Sequence, residues 1–546
     1  MNHLADLFKE SGKEEIDKVV YLSLGFLAPS YKNIIFNMAD QMIVRALAKA
    51  FDIEVEKVKM LYKKKGDLGT VAFELAKGQG KNLEVSEVYN KLAELAKEGG
   101  TGSQERRIDK MADLLKALDP LSSRFVTRIP LGKLRLGFSD LTIIDALSWY
   151  EKGDKSAKSD LVSAYQVQPD IGLLAKRVKE LGIKKATGNP KPILGIPVAP
   201  MLAQRLNNPT EMVKKMGKVA IEPKFDGVRV QIHYKKKGEV HAFTRNLHDV
   251  FLMFPELKTL GKYINAQEAI LDTEAIGVDE KTKMLLDFQV TMTRRRKHEV
   301  ENFAQKVPIT FNVFDCLLVD GEDYMLKNYE VRHEKLKKII KEDRLIKMVD
   351  SVVTDDPAVI DKEYKDELSK GLEGIMVKKI DSYYVPGRTG WRWVKMKQTS
   401  KTAGKLSDTV DCVIMGFTGG KGKRVSFGLG QFLVGVKDGE EIKTVTKVGT
   451  GLTDEQFKAL REKLQKLVVS QKPKEYVVNK VLEPDFWVEP EVVVEIAADD
   501  ITKSPNHTTG YALRFPRLVR FREDKSPSQA TTVNEVKKLF DLQKKK

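Results

Sequence analysis

The spacing of apolar residues changes character once along this chain, and that change divides it. Up to about residue 190, apolar side chains recur at intervals of three and four. NKLAELAKE (90–98), IDKMADLLKAL (108–118) and LTIIDALSWY (141–150) are examples, the last following Ser139 and Asp140 as caps. This predicts an all-helical domain over 1–194. The segment KKATGNPKPILGIPVAP (184–200) then concentrates Gly and Pro, as a linker does. Beyond it the pattern turns to short β-rich runs: KVAIEPKF, RVQIHY, EVHAFTR, AILDTEAIGV, ITFNVFDCLLV, EGIMVKKI and WRWVKMK, with a helical insert at YEVRHEKLKKIIKE. These predict an α+β domain with antiparallel sheets over 195–404. After KQTSKTAGKLSD come TVDCVIMGF, GQFLVGVK, EIKTVTKVG, VVVEIAADD and ALRFPRLVRF, with one helix at TDEQFKALREKLQKLV. About five strands and one helix over 405–546 suggest a small barrel of the OB type. No internal repeat is evident.

The composition narrows the classes of function. Lys and Arg outnumber Asp and Glu by 94 to 77, a formal charge of +17, so the surface attracts polyanions, although a solvated Lys/Glu surface of the thermophile kind gives a similar balance. The two cysteines, Cys316 and Cys412, sit in apolar runs and read as buried side chains. They cannot build a tetracysteine zinc site. No apolar run is long enough to span a bilayer, and MNHLADLFKESGKEE lacks the apolar core of a secretory signal, so a cytoplasmic location without membrane association is expected.

No G-x-x-x-x-G-K-[ST] loop occurs, and the cluster GGKGKR has the wrong spacing for one. The segment Glu222-Pro-Lys224-Phe-Asp226-Gly227-Val-Arg229 offers another way to handle a nucleotide: a lysine ends an apolar strand, and a tight Asp-Gly turn leads into the next strand. To attack phosphorus that amine must be neutral, which nearby positive charge, metal and partial burial all favour. Alone, K-x-D-G is weak evidence and reads first as a β-turn with an exposed lysine.

Further segments follow in fixed order: FTRNLHD, LDTEAI, NVFDCL, EGIMVK, WVKMK and ALRFPRLVRFREDKSP. Together with EPKFDGVR they resemble the motif series of the covalent nucleotidyltransferases, specifically the archaeal and eukaryotic type of ATP-dependent DNA ligase, over nearly the whole chain. The resemblance implies ATP as cofactor with Mg²⁺ (or Mn²⁺), nicked duplex DNA as partner, and roles in DNA replication, repair and recombination. Lys224 is expected to take the AMP, Glu222 to read the adenine amine and Phe314 to stack on the base. Glu274 should hold the ribose or a metal, Glu373 should help place Mg²⁺, and Arg229 and Arg245 should hold phosphates. Lys378, Lys395 and Lys397 should face phosphate groups. Strand alternation lets Lys395 and Lys397 point into the cleft while Val394 and Met396 pack behind. Arg514, Arg517 and Lys525 should form a mobile lid that orients pyrophosphate, within a basic stretch that also holds Arg520 and Arg522.

One departure from the family concerns the arginine expected directly before a glycine ahead of the fifth motif. In Pro-Gly-Arg388-Thr389-Gly390 it stands one position earlier, leaving Arg388 and Arg392 as alternatives for a nucleotide contact. A monomer is expected. The family makes a sliding clamp a further partner to consider, but no Q-x-x-hydrophobic segment ending in paired aromatics is found. RNA ligases and mRNA-capping guanylyltransferases share K-x-D-G and the barrel, but the long helical N-terminal region and RFPRLVRFREDK argue against both. NAD-dependent ligases carry a zinc element that this chain cannot form.

Overall fold

The structure, a computed structural model, describes all residues except 79, 133, 280, 281, 283, 287–289, 292, 293, 295–306, 388, 389, 398–407, 421–426 and 544–546, and every count of elements or partners refers to the described ones. The chain divides into two compact units. One comprises 1–39, 82–114 and 128–398, and the other 40–81, 115–127 and 399–546.

In the first unit, helices from the N-terminal region close around a core that includes Phe8, Val20, Ile144, Leu147, Leu161 and Leu174. A buried carboxylate, Asp170, ties them together: it accepts the Tyr31 hydroxyl at 2.7 Å and that of Tyr21, and it caps the helix Ile171–Leu181 through the Leu173 amide. The helix Asp140–Lys152 starts at Ser139 with a capping box to Thr142, so Asp140 is its first residue rather than its cap.

Two mainly antiparallel sheets follow, each with one parallel pairing. Strands β1 (Gln204–Arg205), β2 (Val219–Lys224), β9 (Val352–Thr354), β10 (Gly374–Lys379) and β11 (Trp393–Lys397) make a five-stranded sheet in the order β1-β11-β10-β2-β9, with β1 parallel to β11. Strands β3 (Val228–Lys235), β4 (His241–Thr244), β5 (Glu268–Gly277), β6 (Ile309–Val319) and β7 (Glu322–Asp323) make a second sheet in the order β4-β3-β5-β6-β7, with β8 (Ile346–Met348) beside β6. The period-two pattern gives each sheet one apolar face. Ile221, Ile375, Val377, Val394 and Met396 pack beneath the first sheet with Met212 and Ile360 from the helices Pro209–Met216 and Pro357–Ser369. Val230, Ile232, Leu271, Phe311 and Val313 form the core under the second. The opposite faces carry the polar residues of the motifs.

In the second unit the helices Asp40–Phe51, Val55–Lys65 and Leu68–Leu75 follow one another with Gly66 and Asp67 as terminal caps. The C-terminal region carries an eight-stranded sheet built around Val410–Thr418, with a separate pair formed by Asp500–Lys503 and Tyr511–Arg514. Its core includes Ile414, Phe432, Val434, Leu460 and Ile496. More elements are present here than the sequence pattern indicated. Val468–Val469, Tyr476–Val477 and Phe486–Val488 are too short to show periodicity, and the helix Val533–Leu542 adds a second helix. ALRFPRLVRF is not one strand: it breaks at Phe515, whose φ is 50°, before Pro516, which lacks a ladder donor. Both cysteines are buried. Among the described residues no helix is long and apolar enough to cross a membrane.

Candidate active site

Sheet register assembles the site. Lys224 of β2 lies opposite Gly374 of β10, which lies opposite Lys397 of β11. The next row is Glu222, Met376 and Lys395, and the next Ala220, Lys378 and Trp393. Residues directly opposite one another share a face, so the chemistry-bearing side chains of three strands project to one side. The turn Phe225-Asp226-Gly227 then carries the chain from one sheet to the other. A Cβ at Gly227 would lie 2.7 Å from the Ala275 carbonyl oxygen, and one at Gly374 would lie 2.2 Å from that of Met396, so both close approaches exclude any side chain.

A cavity of about 740 Å³ opens between the two polar faces. That volume lies within the usual range for small-molecule sites. Among its lining residues are Glu222, Lys224, Arg229, Arg245, Glu274, Phe314, Lys378 and Lys395. Glu373 and Lys397 are not in that lining but join it through ion pairs: Glu373 bonds Lys224, and its other oxygen lies 2.6 Å from Lys397 Nζ. Burial works against the Glu373 charge, but the two lysines outweigh it and hold its carboxyl below the usual range. Lys395 is displaced in the other sense. Burial, with Lys224, Lys397 and Arg245 nearby, pushes its ammonium below the ordinary lysine range. A cluster of this sign favours a polyanion such as a triphosphate.

The deep end of the cavity is built differently. Glu222 is buried and takes Lys378 Nζ at 2.8 Å and the Tyr329 hydroxyl at 2.6 Å, both on Oε1. Lys378 is therefore not grouped with Lys395 and Lys397. Its ammonium also donates to the Phe314 carbonyl at 2.9 Å and lies 4.8 Å from the Phe314 ring centroid and 4.5 Å from that of Trp393. Phe314 meets Trp393 edge-on at 6.0 Å and presents a half-buried ring to the cavity.

Arg229 is held on β3 by Asp272 across the sheet, Nε at 3.0 Å and Nη2 at 2.6 Å, and by the Met201 carbonyl at 2.7 Å. Burial opposes its charge, yet Asp272 and Glu274 outweigh that, and the guanidinium titrates above the ordinary arginine range. Glu274 faces the same space. Burial pushes its carboxyl up to about 7, against the pull of Arg229 and Lys224. A buried carboxylate of this kind takes either a proton or a cation. Glu274 and Glu373 are hard oxygen donors, and Mg²⁺ is usually held by one or two carboxylates together with substrate phosphates, so the donor set fits that ion.

Arg388 lies outside the described residues. Arg392 does not line the nucleotide-sized cavity but a smaller depression of about 320 Å³, with Lys215, Lys379, Tyr383 and Trp391. Arg514, Arg517 and Lys525 belong to the second unit. There Arg517 pairs with Asp499 at 2.8 Å, Lys525 with Asp411 at 2.7 Å, and Arg514 lies 5.2 Å from the Phe515 ring centroid. Arg520 and Arg522 are likewise paired, with Glu495 and Asp411.

Tyr329, Asp272 and Trp393 escaped the sequence reading. Strand alternation in WVKMK places Trp393 on the same face as Lys395 and Lys397, a signal that was present but unused. Tyr329 sits on the helix Tyr329–Ile339, whose composition says nothing of a strand more than a hundred residues away.

Three family models match this chain: an ATP dependent DNA ligase domain over 200–397, a DNA ligase N terminus over 1–148 and an ATP dependent DNA ligase C terminal region over 426–525. The probable DNA ligase of Dictyoglomus turgidum is 41% identical over 556 residues, covering 100% of this chain and 94% of the relative. The DNA ligase of Pyrobaculum islandicum is 39% identical over 570 residues, covering 99% of this chain and 95% of the relative. A solved structure named Pmar-Lig_Pre aligns over 89% of this chain and 100% of its own with a TM-score of 0.50 at 19% identity, a likeness of fold. With all three models matched in chain order and relatives this similar along their whole length, the chain belongs to the ATP-dependent DNA ligases.

Proposed function

We propose that the cleft between the two sheets is the adenylation site of a ligase that seals nicks in duplex DNA. The observation that carries this reading is Lys224 at the open end of β2, lining the cavity beside Glu373, with Glu222 two residues deeper on the same face. In the first transfer the Lys224 nitrogen attacks the α-phosphorus of ATP. A phosphorus–nitrogen bond forms, the bond to the bridging oxygen breaks, and pyrophosphate leaves. The Nζ proton is given up to solvent before the attack, and Glu373, already hydrogen-bonded to Nζ, orients the amine. In the second transfer an oxygen of the 5′-phosphate at the nick attacks the same phosphorus and restores the lysine. In the third the 3′-hydroxyl attacks the 5′-phosphate, the strand closes and AMP departs.

Lys395, Lys397, Arg229 and Arg245 are assigned to charge neutralisation along the phosphates, Phe314 to stacking on the base, and Glu222 to its amine. Glu274 and Glu373 would hold Mg²⁺, which when bound offsets phosphate charge. Arg514, Arg517 and Lys525 are assigned to the lid over pyrophosphate. The domain limits 1–194, 195–404 and 405–546 belong to the same reading, as do a cytoplasmic monomer and an OB-type barrel in the last segment. The barrel is supported by antiparallel strands sharing one core with the helix Asp454–Gln465. DNA contacts would go to phosphate and sugar, because an enzyme that repairs any nick must not read sequence.

The test is to incubate wild type and Lys224→Ala with α-labelled ATP or GTP and Mg²⁺, then add nicked duplex. The expected result is acid-labile label from ATP on the wild type only, chased onto DNA. Equal labelling of the variant, or a preference for GTP, would contradict the reading.

A further inference from the structure

We infer that Tyr329 is a positioning residue that aims Glu222 at the exocyclic amine of the nucleotide base and so contributes to the choice of ATP. This rests on the adenylation reading above. Glu222, Tyr329 and Lys378 are each no more than 3% exposed, so the carboxylate, phenol and ammonium form one buried network at the deep end of the cavity. Tyr329 and Lys378 both engage Oε1. Among the described residues none donates a hydrogen bond to Oε2, which is not sealed from solvent, and Glu222 lines the cavity. One oxygen is thus pinned, and the other is presented to whatever enters.

A carboxylate with a single open acceptor suits an amine donor. It repels the carbonyl oxygen that guanine offers at the same place. Burial pushes the Glu222 carboxyl up, and the Lys378 and Tyr329 donors oppose this, so the hydroxyl helps keep an acceptor where a protonated carboxyl would offer a donor. The phenol is itself braced. Its oxygen lies 3.3 Å from His333 Nδ1, and His333 Nε2 lies 3.4 Å from the Ser351 hydroxyl. Asp315, nearby in β6, disfavours the Glu222 charge by repulsion but is itself engaged by Arg332 at 2.7 Å.

The experiment is a cycle between protein and ligand on the full chain. Wild type and Tyr329→Phe are compared for self-adenylation with ATP, purine riboside triphosphate (which lacks the amine) and GTP, with thermal melting as the folding control. A hydrogen bond to a charged group is worth about 1.5–3 kcal/mol, so kcat/KM with ATP should fall roughly tenfold or more in Y329F. With the amine-free nucleotide the fall should stay under about twofold, and the GTP to ATP ratio should rise. A merely structural role would lower all three nucleotides alike, and that additivity would overturn the inference. If Y329F does not fold, 3-fluorotyrosine at 329 keeps ring and hydroxyl and donates more strongly. It should raise the preference for ATP over the amine-free analogue, and no change would count against the inference. Failure of the wild type to prefer ATP over the amine-free nucleotide would instead strike the assignment of Glu222, and labelling that survives Lys224→Ala would strike the adenylation reading itself.

Discussion

His233 shows how a single side chain can tie a linker to the catalytic core. Its Nδ1 accepts the Gly195 amide at 3.0 Å, so the proton sits on Nε2 and is donated to Gln231 Oε1 at 2.9 Å. Gln231 in turn accepts the Val198 amide at 2.8 Å and donates to the Val198 carbonyl at 3.2 Å. A charged imidazole would lose the Gly195 contact in a fully buried position. Burial, aided by His241, accordingly pushes the His233 pKa down to about 3. Between about 6.5 and about 3 the unfolded chain binds a proton that the folded one refuses, so stability is fully present above the unfolded pKa and falls as the pH drops through this window. At about pH 5 the expected loss is about 2 kcal/mol relative to about pH 7.5. Urea denaturation of wild type and His233→Gln at the two pH values checks this: the variant should lose less, and parallel losses would contradict the account. The residues of the site were legible to different degrees. Glu222, Lys224, Glu274 and Phe314 stood inside motifs, and so did Asp272, in LDTEAI, although its ion pair with Arg229 on the neighbouring strand is set by register; Tyr329 works through a helix-to-strand contact that leaves no local pattern.

Each element is as informative as its periodicity is long. β2, β3, β5, β6, β10 and β11 were visible in the chain as β-rich runs of five to eleven residues; β11 alternates buried and part-exposed residues, whereas β5 and β6 are buried along nearly their whole length. The two-residue strands of the C-terminal region have no period to read. The helix Val533–Leu542 did carry a signal, the capping box of Thr532 with Glu535, which the β-rich surroundings obscured. β10 is central to its sheet, flanked by the strand bearing Lys224 and the strand bearing Lys395, and its Ile375 is fully buried on the apolar face. Ile375→Ala should cost about 2–5 kcal/mol through lost burial and an unfilled cavity, read as a lowered denaturation midpoint. Because a shift of β10 also moves Glu373 and Lys378, adenylation should decline at temperatures where the melt still reports folded protein. Unchanged stability would mean that the back face is not the anchor described here. At the helix Asp454–Gln465, Thr453→Ala removes the cap and should cost about 1 kcal/mol.

At the scale of the whole molecule, the formal charge of +17 becomes meaningful once a family and a phosphate-rich substrate are in place. Phosphate contacts release condensed counterions, so binding of nicked duplex should weaken by roughly 1,000-fold between about 50 and about 200 mM salt if six or more phosphates are neutralised. Fluorescence anisotropy across a salt series measures the slope, and a flat response would remove the electrostatic part of the account. In the proposed reaction one lysine, Lys224, carries the adenylate. The most direct measurement is peptide mapping by mass spectrometry after the chain has been incubated with ATP and Mg²⁺ and kept from acid. A single AMP adduct is expected on the peptide that contains Lys224, lost when nicked DNA is added and absent from Lys224→Ala. An adduct on Lys395 or another lysine instead, or nick sealing by a chain that never carries AMP, would contradict it.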